Sequence, residues 1–506
     1  MDVNSYKQVV LDQQKEKSEI ILTDLISRRG EVYFDLNSSL IGYKVNSMKN
    51  LLLLPILLLL LSSCMVGKKY QPPQPAVPEN YRAANAKTDT TALPNWWTLF
   101  NDPVLDALIQ KALANNPDML IAASRIEEAR LTLGNVKASF LPSFGYNISA
   151  ATSDVGIEAR KVGASIDGNV FKGYGMMNWE IDLWGKIRRS KKSALADLLS
   201  QEENRNALRI SLIAQVAMLY FQLQDFDTRL SIATQTFQNR KESAALIAER
   251  FEKGYVSEVD KLQAEQQEAL AEVMIPNFTR AIAQTENAIH ILCGSLPDAV
   301  ERGKNNQEHS AAPSIPVGLP SQLLQRRPDI RSSEATLHAQ CERIGIAQAS
   351  MYPSLSLTGL LGLASPDLNM LLKNDAFYAS GIGGLTGPLF QFGQNRRRVS
   401  IERTRTEVAM QNYQKTVLNA FREVNDALTA YHTYKQECEI RQKQSEAARK
   451  ALQLTYALYD HGYSSYIEVM MQENNLFDAE LQASATLQQQ LSAYIQLYKA
   501  LGGGFF

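Results

Sequence analysis

Residues 254–260 read Gly-Tyr-Val-Ser-Glu-Val-Asp, and 208 positions later residues 462–468 read Gly-Tyr-Ser-Ser-Tyr-Ile-Glu. The same spacing separates Leu183-Trp184-Gly185 from Gln391-Phe392-Gly393, each ahead of a basic run, and Gly294 from Gly502. Upstream, Asn116-Pro117-Asp118 returns as Arg327-Pro328-Asp329, and Phe140-Leu141-Pro142-Ser143 as Met351-Tyr352-Pro353-Ser354, both 211 positions on. Ordered landmarks at a near-constant offset mark one supersecondary unit used twice. The first repeat is expected over 103–294 and the second over 321–506. Between them, 295–320 carries prolines and no helical period, and reads as a crossover linker.

Each repeat has one plan. A helix (103–138; 320–350) leads to a Pro-Ser break and two strand candidates. A very long helix follows, then the Gly-Tyr turn and a second helix that stops at glycine. No proline interrupts the stretches 185–254 and 393–462, each about 69 residues or roughly 100 Å as helix. Leu212, Val216, Leu219, Leu223, Phe226 and Leu230 alternate steps of four and three, as do Val417, Phe421, Val424, Leu428 and Tyr431. That is the period of helices packed side by side. Two shorter helices laid end to end match one long helix, so the plan favours a helical cylinder, although a packed bundle shares the same period.

The strand candidates alternate in polarity. Met177, Trp179, Ile181 and Leu183 share one face, and Asn178, Glu180 and Asp182 the other. Leu355 and Leu357 oppose Ser354, Ser356 and Thr358, and the stretches 144–151 and 377–392 are short and glycine-rich. Strands of this kind suit a transmembrane barrel, because only closure satisfies every backbone group in lipid. Four strands cannot close alone, whereas three copies supply about twelve, enough for a barrel with a lumen. Trp179, Trp184, Phe390 and Phe392 then suit the membrane face or its aromatic girdle.

The composition narrows the function. The net charge is −1, and no basic stripe suggests a nucleic-acid partner. The one strongly apolar run, 51–61, is too short to span a bilayer and fits a signal-peptide core. Leu61-Ser62-Ser63-Cys64 follows it as a lipobox, so 1–63 is expected to be removed, with Met48 as the true start, and Cys64 to be acylated. Met65 at the next position points to outer-membrane sorting, and 64–102 reads as an extended, lipid-anchored segment. Cys293, Cys341 and Cys438 are scattered thiols, and the histidines do not cluster, so no disulfide framework or metal site is expected. No nucleophile elbow, phosphate loop or other catalytic constellation is present, which argues against an enzyme and for no cofactor.

Several segments together resemble the TolC/OprM (NodT-type) outer-membrane factors of RND-type efflux pumps. The most specific is 315–331, IPVGLPSQLLQRRPDIR, followed by Glu334 and by Ile344-Gly345-Ile346-Ala347. Trp96-Trp97 with Phe100-Asn101-Asp102-Pro103, Trp179 to Gly185, and Gly254 to Asp260 support it. The resemblance covers nearly all of the chain after Cys64. It implies a fold that is mainly α with a membrane β-barrel: a homotrimer with a twelve-stranded barrel continued by a long periplasmic α-helical barrel. It also implies a gated conduit that works with a periplasmic adaptor and a proton-driven inner-membrane RND-type transporter. A periplasmic adaptor lipoprotein is the competing reading, which the two-fold repeat disfavours.

The Gly-Tyr turns lie a full helix length from the strands, where glycine supplies the positive φ of a tight turn. By resemblance, Gly254, Tyr255, Val256 and Ser257, with Gly462, Tyr463, Ser464 and Ser465, are the adaptor-contacting tips. Six residues beyond each glycine stand Asp260 and Glu468, which match the family's gate acids; Tyr459 matches a gate tyrosine. Carboxylates gathered at a closed end repel one another, so a proton or a bound cation would favour closure. Some family members carry a gate-tying arginine where this chain has Ser464, and a second acid where it has Met471.

Overall fold

A computed structural model describes residues 65–75, 78, 95–153, 168–306 and 320–503, all within one unit, Cys64–Phe506. The apolar run, Cys64 and the expected leader 1–63 lie outside the described residues, as do 307–319 of the linker.

After a 3-10 turn (Trp96–Phe100), the first half contains α1 (Pro103–Asn115), α2 (Pro117–Ala138), β1 (Ser143–Ser153), β2 (Gly168–Ile181), α3 (Lys186–Glu252), α4 (Glu258–Glu272) and α5 (Met274–Leu292). The second contains α6 (Pro320–Arg326), α7 (Pro328–Ala349), β3 (Ser354–Ser365), β4 (Phe377–Thr386), α8 (Gln394–Asp460) and α9 (Tyr466–Ala500).

Three single helices expected from the sequence are each two. The break at Asn116 is well satisfied: its side chain accepts from the backbone N–H groups of Asp118 and Met119, and Pro117 occupies the first helical position. At the break between α6 and α7, Pro328 again takes the first helical position, but Arg327 before it provides no side-chain cap. Pro276 accounts for the third break. In a continuous helix its ring would strike the carbonyl four residues back, at a cost of about 3 kcal/mol, so the chain restarts at Met274. Position 484 of the second half holds Ser484 instead, and α9 runs unbroken.

The long helices α3 and α8 are 67 residues each, so each rises about 100 Å. Their heptad residues face inward: Leu212, Val216, Leu223, Val417, Val424 and Leu428 are all buried. At the strand end, α2 packs on α3, and α7 packs on both α3 and α8. At the far end, α4 and α5 pack on α3, and α9 packs on both α8 and α3. Each long helix is thus flanked by shorter ones stacked end to end. Midway, Trp96 stacks on Tyr498 and Phe100 packs on Phe221. The buried Asp102 carboxylate accepts from the Tyr220 hydroxyl at 2.8 Å and from Lys304 N at 3.2 Å, strapping both flanking segments to α3.

The strands form one antiparallel sheet in the order β1-β2-β3-β4. Register explains its two faces. Pairings such as Phe144 with Met177, Trp179 with Leu357 and Leu355 with Leu385 put Phe144, Tyr146, Ile148, Trp179, Leu361 and Leu363 on one face without a charged residue. The opposite face carries Asn147, Ser149, Lys172, Asn178, Glu180, Ser356 and Thr358. Phe144, Tyr146 and Ile148 are about four-fifths exposed in the single chain. Among the described residues no strand pairs with the outer edges of β1 and β4, which is the arrangement that repetition around an axis would close. Among the described residues no helix is long and apolar enough to cross a membrane.

Three of the four aromatics assigned to strand faces lie just past the strands. Leu183 and Trp184 follow the end of β2, because Asp182 leaves the ladder to accept from Ile187 N and Arg188 N at the start of α3. The stretch 377–392 is strand only to Thr386: Gly387 lies against Pro353, and Pro388 has no N–H to give the ladder. Phe390 and Phe392 are therefore exposed connectors, while Trp179 is within β2, its indole N–H donating to Phe140 O at 2.9 Å. Trp184 donates to Pro353 O at 2.7 Å and stacks on Tyr352.

Candidate functional site

The helices opposite the sheet end at two turns of identical construction. At the first, Tyr255 N donates to Arg250 O and Gly254 N to Phe251 O; at the second, Tyr463 N donates to Leu458 O and Gly462 N to Tyr459 O. These crossed bonds satisfy the last carbonyls of α3 and α8 and require a left-handed residue, supplied by Gly254 (φ 74°) and Gly462 (φ 76°). Each return helix starts on a serine: Ser257 accepts from Asp260 N, and Ser465 from Glu468 N.

Tyr255 and Tyr463 are about four-fifths exposed at the outer ends of the turns. Val256 differs from its neighbours in the expected contact set. It folds inward against Ala244, Ile247 and Ala264, with Tyr466 beside it, because this small apolar cluster is what closes the end of the helix pair. Ser464 is half-buried, and its hydroxyl donates to the Glu468 carboxylate.

The acids Asp260 and Glu468 occupy equivalent third positions of α4 and α9, one in each half. Asp260 is tied into a reciprocal cap: its carboxylate accepts from Ser257 N at 3.0 Å and from Ser257 Oγ at 2.8 Å. Each carboxylate is thus held by its own turn, with the remaining oxygen and the full charge left for a cation or a neighbouring subunit. Both also sit in the first turn of a helix, where the macrodipole presents its positive end.

Tyr459 joins the halves. Its phenol oxygen accepts from Arg250 Nη1 at 2.7 Å, the Arg250 guanidinium lies 5.3 Å from its ring centre, and Tyr466 packs at 6.0 Å. Burial, followed by the charges of Glu473, Tyr459 and Asp260, pushes the Tyr466 phenol up to about 12. Arg250 was not among the residues read from the sequence. It occupies the position from which the Tyr255 amide is also held, so one residue supports both the turn and the link.

A second charged layer lies further along the helices. Arg240 is buried, donating to Gln267 O at 3.0 Å and Asn474 Oδ1 at 2.8 Å, with its guanidinium over the Phe477 ring. The buried Glu473 carboxylate accepts from the Tyr456 hydroxyl, and burial raises its pKa. The sequence carried a signal for this layer. Ala233, Arg240 and Ile247 are seven apart, so a cation stands on an apolar heptad position.

The outer membrane efflux protein family model matches residues 108–295 and 319–503. The chain belongs to this family. The solvent efflux pump outer membrane protein SrpC of Pseudomonas putida is 32% identical over 458 residues, covering 88% of this chain and 97% of that protein. Among solved structures, the CmeC outer membrane channel of Campylobacter jejuni superposes with a TM-score of 0.81 at 26% identity, covering 87% of this chain and 95% of that one. The open state of the Neisseria gonorrhoeae MtrE outer membrane channel gives 0.78 at 26%, over 87% and 98%. As a member of the outer membrane efflux protein family, the chain is a transport conduit and not an enzyme. It is a TolC-like channel of the outer membrane with a periplasmic helical extension. It acts as a trimer with an adaptor and an inner-membrane transporter.

Proposed function

We propose that this efflux channel is the lipid-anchored exit duct of an RND-type pump for drugs or other small molecules, gated at the tips of α3 and α8. Acylation at Cys64 anchors each subunit, while the apolar sheet face, with Trp179, Trp184, Phe390 and Phe392 along it and at its periplasmic edge, contacts outer-membrane lipid. The exposed tips, Tyr255 and Tyr463 above all, receive the adaptor. Asp260 and Glu468 from each subunit form the acidic constriction, and Tyr459 holds its wall. The observation that carries this reading is the pair of acids at equivalent first turns of α4 and α9, at the end remote from the sheet.

The anchor and the barrel separate by experiment. Cys64→Ser should leave the protein in the outer-membrane fraction, because the sheet alone embeds it; release into the periplasm would contradict the membrane role of the strands. Tyr255→Glu with Tyr463→Glu should abolish export in cells while leaving the trimer and its bilayer conductance intact. Unimpaired export by that variant would show that the tips do not receive the adaptor.

A further inference from the structure

Both long helices begin against electrostatic preference. Each opens on a left-handed glycine (Gly185, Gly393) that offers no side chain to cap it, has no acid in its first turn and runs into cations, although at α3 the preceding Asp182 accepts from Ile187 N and Arg188 N. A helix start is the positive end of the macrodipole, where lysine and arginine are disfavoured. At α3 most of these cations are spent within the protein: Lys186 pairs with Glu180, Arg188 with Asp182, and Arg189 with the buried Glu342.

At α8 they are not. Arg396, Arg397 and Arg398 are exposed, and no carboxylate pairs with any of them among the described residues. Arg403, two turns on from Arg396 and so on the same helix face, lines a cavity of about 500 Å³ with Lys68 and Lys69. Its other lining residues include Cys341, Ile344 and Gln348, and none is a carboxylate. The run of positive charge therefore continues from the edge of the sheet into a groove built by α7, α8 and the segment that follows Cys64.

An apolar prong stands beside it. Leu389, Phe390 and Phe392 are the most exposed large apolar residues next to the arginines, and the two rings pack at 4.6 Å. Phe392 holds φ at 48°, a left-handed conformation that bulky residues seldom adopt. The sheet ends joined to helices (Ser143, Ile181, Ser354 and Thr386) are the periplasmic ends, since the helical extension is periplasmic. Cations and aromatic side chains at that level meet the headgroups and upper acyl chains of the periplasmic leaflet.

We propose that Arg396, Arg397 and Arg398, and Arg403 with Lys68 and Lys69 in the groove beyond them, form a collar that binds the phosphates of anionic phospholipids in the periplasmic leaflet. Phe390 and Phe392 enter its acyl region, a part of the proposal that rests on their assignment to the membrane face. The collar acts independently of the tips and would set the depth of the barrel in the bilayer.

The test uses the detergent-purified trimer and native mass spectrometry, titrating phosphatidylglycerol against phosphatidylcholine of the same chain length. The account expects retained phosphatidylglycerol at about tenfold lower concentration, and loss of that preference in Arg396→Gln/Arg397→Gln/Arg398→Gln and in Lys68→Gln/Lys69→Gln/Arg403→Gln. Lys443→Gln/Lys450→Gln, exposed far along α8, should keep it. Equal binding of the two lipids by the wild type, or an unchanged preference in both collar variants, overturns the proposal. Displacement of the lipid by millimolar inorganic phosphate would overturn it in favour of a free-anion site. Phe390→Ser/Phe392→Ser should weaken both lipids alike; no effect there rejects the aromatic assignment and leaves the headgroup result standing.

Discussion

The Arg250 guanidinium donates to the Tyr459 phenol at 2.7 Å, joining the last turns of two helices that come from different halves of the chain. Position 464 holds Ser464, whose hydroxyl is committed to Glu468. The cation at this tip comes from the other long helix. Tyr459→Phe keeps the ring and loses the hydrogen bond, and Arg250→Ala loses both contacts. A partly exposed bond to a charged group is worth about 1 kcal/mol, so full openings should become roughly fivefold more frequent in Tyr459→Phe and more so in Arg250→Ala. Single-channel recording checks the order of the two variants.

Asp260 caps α4 and is also a proposed gate acid, two roles that one substitution to alanine would confuse. Asp260→Ala removes both the charge and the reciprocal cap with Ser257, at a cost of about 1 kcal/mol to the start of α4. Asp260→Asn retains an acceptor for the Ser257 amide. Combined with Glu468→Gln, it should abolish the response of conductance to divalent cations with little change in thermal stability. A divalent response equal to that of the wild type would remove the carboxylates from the gate.

The guanidinium of Arg189 is 2.8 Å from Glu342 and donates to the carbonyls of Val66, Gly67 and Lys68. Both side chains are almost fully buried. Arg189→Met leaves Glu342 buried without its partner and should cost about 3–5 kcal/mol, much of it recovered by adding Glu342→Met. Gly345 is part of the same construction, since a Cβ there would stand 2.1 Å from Arg189 Cδ. Gly345→Ala should therefore destabilise the protein by forcing Arg189 from its site. Denaturant unfolding of the four proteins measures these differences.

Glu473 makes stability depend on pH. Burial raises its carboxyl pKa in the fold, against the opposing effects of the Tyr456 hydrogen bond and the Arg240 charge, with the Tyr466 phenol also nearby. A raised folded-state pKa contributes stability that is complete below the ordinary carboxylate range and is lost as pH rises through the folded value. Glu473→Gln should flatten that decline, so that its melting temperature exceeds the wild type's increasingly toward neutral pH. Parallel melting curves for the two proteins would contradict it.

What the sequence disclosed follows from the range of each interaction. The ends of α3 and α8 were legible because Gly185, Gly254, Gly393 and Gly462 are local backbone requirements. The sheet was legible because its polarity alternates, and register then aligned the apolar residues of all four strands on one face. Breaks at Asn116 and Val273 were not read, since Pro117 is compatible with a helix start and Pro276 acts only through the turn before it. Arg250, Arg240, Tyr456 and Glu473 were missed for another reason. Charged and phenolic residues on a long helix read as solvated until the packing of α3, α8 and α9 brings them together.

Conductance of the purified protein in a planar bilayer, recorded with its oligomeric mass, tests the gated conduit most directly. The account predicts a trimer whose small pores are closed further by divalent cations, and whose Asp260→Asn/Glu468→Gln variant conducts without that closure. A monomer without pores, or a trimer whose conductance ignores both divalent cations and the two acids, would contradict it.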